Sequence, residues 1–152
     1  MSENLLDNML LVVDGSEASI AAANYAVELA AQTGSRVTAV YVVDTATMEY
    51  LTQMRIFVSE ERREFEQDLE RTGQRYLEYV RAIGHKHGIA VETVQLRGAF
   101  HQTILQKAMQ MNAAAIVLGG WHRTVTQKDV ASVQRQLILD EAECPVIVVK
   151  KK

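Results

Sequence analysis

The chain has 152 residues, 48% hydrophobic and 23% charged, and its sixteen Lys and Arg against nineteen Asp and Glu leave a formal charge of -3. That is one domain's length with an ordinary globular balance, which sets aside intrinsic disorder and leaves no basic excess of the kind that nucleic-acid or membrane-surface binding draws on. A single cysteine, Cys144, excludes an internal disulfide framework or a cysteine-cluster metal site. The opening MSENLLDN lacks the cationic and apolar regions of a signal peptide, and no apolar run approaches the roughly 20 residues of a membrane helix, so a cytoplasmic protein without membrane insertion is expected. The Lys150, Lys151, Lys152 tail is a local exception to the charge balance.

Pro145 is the one proline, and no Ser, Gly or Pro-rich stretch divides the chain, so residues 1–152 read as one domain without linker or repeat. The first β-rich apolar run is Met9 to Val13. Asp14, Gly15 and Ser16 then make a turn and an N-cap for a helix carrying Ile20, Ala23, Ala26, Val27 and Ala30, which Gly34 stops. A second strand, Val37 to Val43, leads into residues 45–58, whose mixed periodicity suits a long connection: either a lid or partner surface, or packing over the sheet edge. From Ser59 to Ile83 a charge-rich helix carries Phe65, Leu69, Tyr76, Val80 and Ile83 on one stripe, with Gly73 an interior weakness of about 1 kcal/mol relative to alanine. Strand Ala90 to Leu96, a helix through Ile104, Leu105, Ala108 and Met109, and strand Ala115 to Leu118 follow. A helix through Val130, Val133, Leu137 and Ile138 and strand Val146 to Val149 close the chain. Five strands alternating with four helices predict a parallel sheet covered on both faces.

In such a sheet ligands bind beyond the C-terminal strand ends, where strand order reverses. The segments to watch are therefore Asp14 to Ser16, Val42 to Thr45, Gly98 to His101 and Gly119 to Asp129. Asp14 either caps its turn alone or also meets a ribose or metal. Gly119 and Gly120 serve strand exit or phosphate contact, and Trp121 stacks on a base or packs against a dimer partner. His122, Arg123 and Lys128 form a cationic loop, either solvated or anion-binding. His85 and His87 point apart at helical spacing, so no metal site is expected there. Cys144, before a proline at the entry to an apolar strand, is expected to be buried and inert. Neither a G-x-S-x-G elbow nor a G-x-x-x-x-G-K-[ST] loop occurs.

LLVVDGSEAS at 10–19, VYVVD at 40–44, RGAFHQTIL at 97–105, AAIVLGG at 114–120 and CPVIVVK at 144–150 resemble the universal stress protein family along the whole chain. The resemblance implies an open five-stranded parallel sheet in the order 3-2-1-4-5, of the adenine-nucleotide alpha-hydrolase-like type, and commonly a homodimer through the last strand. With that order Val146, Ile147, Val148 and Val149 form an edge whose unpaired backbone groups invite a second copy.

Members that hold ATP carry G-x-x-G, nine further residues, then Gly and Ser or Thr, so that backbone N–H groups and a hydroxyl reach the phosphates. If Gly119 is the first glycine, His122 and Ser132 stand at the other two and Val133 at the hydroxyl position, unless a one-residue shift brings Ser132 there. Val12, Asp14 and Val42 match positions lining the adenine and ribose pocket, so the base half is kept and the phosphate half broken. The segment resembles the branch without the glycine pattern. The resemblance thus implies a regulatory or adaptor homodimer with an unidentified protein partner and weak or no ATP binding. The rival is a sensor holding ATP, ADP or AMP among Val12, Asp14, Gly15, Ser16, Val42, Gly119, Gly120, His122, Arg123, Ser132 and Val133. A slow ATPase or phosphotransferase is the reading most damaged by the missing glycines.

Overall fold

The computed structural model describes residues 5–54, 59–121 and 130–150. Its elements in chain order are β1 (Asn8–Val12), α1 (Glu17–Thr33), β2 (Arg36–Asp44), α2 (Thr45–Gln53), α3 (Ser59–Lys86), β3 (Val91–Gly98), α4 (Phe100–Gln110), β4 (Ala115–Gly119), α5 (Val130–Glu141) and β5 (Val146–Val149). The strands form one parallel sheet in the order β3-β2-β1-β4-β5, as the family resemblance implies. The order reverses between β1 and β4, both of which leave the sheet at the same end.

Two apolar clusters lie on opposite faces of the sheet, because successive strand side chains point to opposite sides. Met9, Leu11 and Val13 pack with Ala22, Ala23, Ala26, Val27 and Ala30 of α1 and with Leu77, Val80 and Ile83 of α3. Leu10, Val12, Val40 and Val42 pack with Ile104 and Ala108 of α4 and Ile138 of α5. The first helix is bounded as its sequence predicts. Ser16 is the N-cap, accepting from the Ser19 N–H, and Gly34 closes the helix in the left-handed region with its N–H on the Ala30 carbonyl at 2.8 Å.

Elsewhere the structure departs from the sequence reading. The connection after β2 begins with a short helix, α2, so the described residues hold five helices rather than four. Met48 of α2 is core, while Tyr50 and Met54 face solvent, a split that period counting over nine residues does not resolve. Residues 55–58 of that connection lie outside the described residues. Helix α3 continues past Ile83 to Lys86, and Phe65 is 41% exposed. The rest of the expected stripe faces inward, Leu69 and Tyr76 partly buried and Val80 and Ile83 buried, and Gly73 and Leu77 join it. Gly73 is a contact point: a Cβ there would run into the Tyr41 ring and lie 2.5 Å from Gln95 Nε2, which itself donates to the Glu70 carbonyl at 2.9 Å. Arg97 of β3 adds ion pairs to Glu66, at 2.5 Å, and to Glu70, holding α3 along the sheet edge. On α4, Ile104 and Ala108 face inward but Met109 is 65% exposed.

Helix α5 departs most. Val133 is 40% exposed, and the buried stripe is Ser132, Arg135 and Ile138, spaced by three. A polar pair occupies inward positions where apolar residues were expected, so something at the strand ends receives it.

Candidate ligand site at the strand-order reversal

The turn after β1 is built by its own side chains. Asp14 Oδ1 accepts from the Ser16 N–H at 2.9 Å and from the Ser16 hydroxyl at 2.6 Å. Ser16 Oγ in turn accepts from the Ser19 N–H at 3.1 Å, and the Ser19 hydroxyl donates to the Ser16 carbonyl at 3.0 Å. Gly15 has φ +84°, and Tyr76 of α3 packs so close that a Cβ would lie 2.6 Å from its ring. Both facts require glycine here.

Arg135 completes the turn from the other side of the sheet. Its Nη2 donates to Asp14 Oδ2 and, at 3.3 Å, to Ser16 Oγ. Arg135 is 8% exposed. The Ser16 hydroxyl thereby uses its one donor and both acceptor positions, and both Asp14 oxygens are engaged. Burial by itself would raise the Asp14 pKa, but the Ser16 hydrogen bond, then the Arg135 charge, hold it below the ordinary carboxylate value.

Around this pair lie the other positions singled out in the sequence. Val12 and Val42 are buried in the α4–α5-side cluster, and Trp121 packs partly buried against the same cluster. Gly119 sits under the first turn of α1, where a Cβ would stand 2.6 Å from the Ala18 carbonyl carbon and 2.8 Å from the Ser19 nitrogen. The Gly120 N–H donates to the Val149 carbonyl at 2.8 Å. Their described contacts thus serve close helix packing and sheet continuation. Ser132 is buried on α5 and Val133 faces outward. His122 and Arg123, with Lys128, lie outside the described residues.

His101, near the start of α4, bonds through Nδ1 to Gln134 Oε1 at 2.7 Å; its backbone N–H donates to the same oxygen at 3.2 Å, tying α4 to α5. Cys144 is half-buried rather than fully buried, and burial raises its thiol pKa. Among the described residues no group of three or more His, Cys, Asp or Glu could hold a metal ion, and no described helix is long and apolar enough to cross a membrane.

The sequence model of the Universal stress protein family matches residues 6–150. The chain belongs to that family. Universal stress protein MJ0531 of Methanocaldococcus jannaschii is 29% identical over 151 residues, covering 98% of this chain and 85% of that protein. Among solved structures, the hypothetical protein MJ0577 superposes with a TM-score of 0.78 at 19% identity, covering 97% of this chain and 98% of that one. A universal stress protein family protein from Arabidopsis thaliana, solved with AMP bound, gives a TM-score of 0.66 at 18% identity over 95% of this chain and 92% of that one. At these identities the superpositions establish the fold. Within this universal stress protein, Arg135 is the site residue that sequence reasoning missed. The available signal was weak: Ser132 and Arg135 share a helix face with Ile138, whose burial was predicted.

Proposed function

We propose that this chain is a regulatory or adaptor member of its family, a single-domain cytoplasmic homodimer without catalytic turnover. Its Asp14 pocket takes an adenine nucleotide weakly, the base and ribose supplying most of the binding. The observation that supports this is the Arg135–Asp14 ion pair at the strand-order reversal. Phosphoryl transfer from a triphosphate relies on groups that hold metal and phosphates. Here Ser16 fills Oδ1 of Asp14, Arg135 pairs with Oδ2 in the absence of ligand, and the Gly120 N–H is bonded to β5. Val12 and Val42, the apolar positions that the family resemblance sets against a base, are core residues on the α4–α5 side of the sheet end where the Asp14 carboxylate lies. The Arabidopsis relative's AMP supports an adenine ligand of that size. It also favours a second reading, a nucleotide sensor, in which occupancy of this pocket alters how the protein meets its partner. For assembly, the support is β5, whose outer edge meets no other strand of the described chain.

Calorimetry with AMP and with ATP, with and without magnesium, tests the site. ATP is expected to bind no more tightly than about 100 μM, roughly 5.5 kcal/mol, and AMP about as well. Phosphate release from ATP should stay at the buffer rate. Low-micromolar ATP binding, or turnover abolished by Asp14→Ala, would overturn the reading.

A further inference from the structure

Arg135 is a buried cation on α5 whose partners, Asp14 and Ser16, belong to the turn that opens the crevice. A ligand hydroxyl that is to donate to Asp14 meets a carboxylate already in use: Ser16 holds Oδ1 twice, and Arg135 holds Oδ2. The Ser16 bonds are local to a three-residue turn and support the start of α1, whereas Arg135 reaches in from 121 residues away on a long flexible stem. Arg135 is therefore the partner that yields.

A guanidinium displaced within a crevice needs another anion, because leaving a charge unpaired there is far more costly than exchanging its partner. Phosphate meets that need, since the planar fork accommodates two phosphate oxygens as it does a carboxylate.

We infer that Arg135 is an exchangeable counter-ion that makes this site selective for ligands combining a ribose diol with one phosphate. On binding, the ribose hydroxyl donates to Asp14 Oδ2 and Arg135 turns from Asp14 to the ligand phosphate, so that each charge keeps a partner. A nucleoside supplies the hydroxyl but no anion, and strands Arg135. One guanidinium serves one phosphate, so further phosphates add little. The inference rests on the adenine-nucleotide reading above and goes beyond it by naming the residue that discriminates and the ligand group it recognises.

The test is calorimetric titration of the full chain with AMP and with adenosine, for the parent and for Arg135→Met, which keeps side-chain length without charge. The parent should prefer AMP by about 30-fold, the scale of one charge-assisted hydrogen-bonding partner. Arg135→Met should bring the two ligands within about threefold of each other, with adenosine bound no more weakly than by the parent. A parent that binds both ligands alike, or a variant that keeps the preference, overturns the inference and leaves the nucleotide reading standing. Binding of neither ligand at millimolar concentration to either protein overturns the nucleotide reading and the inference with it. If Arg135→Met does not melt cooperatively, the parent's ratio decides.

Discussion

Removing the Asp14 charge strands a buried cation, and the cost of that can be worked out in advance. In Asp14→Ala, Arg135 at 8% exposure keeps only the 3.3 Å bond to Ser16 Oγ among its described partners. Breaking a buried pair from one side costs about 3–5 kcal/mol. At about 2–4 °C per kcal/mol for a chain of this size, the melting temperature should fall by about 6–20 °C. Arg135→Met should cost less, about 1–3 kcal/mol, because Asp14 retains two hydrogen bonds from Ser16. The double variant leaves neither charge stranded, so it should be more stable than the sum of the single effects predicts by about 2–3 kcal/mol. Urea unfolding of all four proteins at pH 7 and one fixed protein concentration measures this, the concentration being held because self-association adds to apparent stability. Additivity within about 0.5 kcal/mol would refute the claim that the two side chains act as one buried unit.

Other outcomes follow from the same geometry. Because the Asp14 pKa is lowered by folding, its contribution is fully present at neutral pH. It should be lost as pH falls from about 4 through the lowered folded value. Asp14→Asn should remove that part of the acid dependence, and identical acid limbs for parent and variant would contradict the linkage. Gly73→Ala gains about 1 kcal/mol of helix propensity but drives a Cβ into Tyr41 and Gln95, an overpacking cost of about 1–3 kcal/mol. Thermal melts should therefore show no gain and most simply a loss; a clear stabilisation would mean α3 shifts freely. At the β5 edge, light scattering at micromolar concentration should give a dimer mass for the parent and a monomer mass for Val148→Lys. Val148 is chosen because Ile147 and Val149 also pack against the α1–α3-side core, so that changing them confounds assembly with folding. A monomeric parent, or a variant that remains dimeric with parent-like circular dichroism, would place the contact elsewhere or nowhere.

The inner strands β1, β2 and β4 were legible because a parallel sheet buried on both faces writes them as short, largely apolar runs. Val37 to Val43 shows this, buried along its length. The start of α1 was legible because Ser16 bonds back to Asp14 across Gly15, so their chemistry is local in sequence. What escaped had its cause far away in the chain. Gly73 reads as a helix weakness until Tyr41 is placed against it. Arg135 reads as a solvated charge until Asp14, 121 residues earlier, is placed beside it. Periodicity assigns inward positions to apolar residues, and at Val133 it chose the outward neighbour of a buried serine.

The sheet divides the apolar interior into two compartments, with Met9, Leu11 and Val13 on one side and Leu10 and Val12 on the other. Substitutions in one compartment are accommodated by that compartment's own helices, so the two can drift independently over generations. Asp14 and Ser16, at the start of α1, and Arg135, on α5, belong to different compartments and meet over the sheet's rim. Loss of Asp14 strands the Arg135 charge, and loss of Arg135 or Ser16 removes a partner from the other two. Among descendants of this chain these three positions are therefore expected to be replaced in concert, while the valines and leucines beneath them exchange piecemeal.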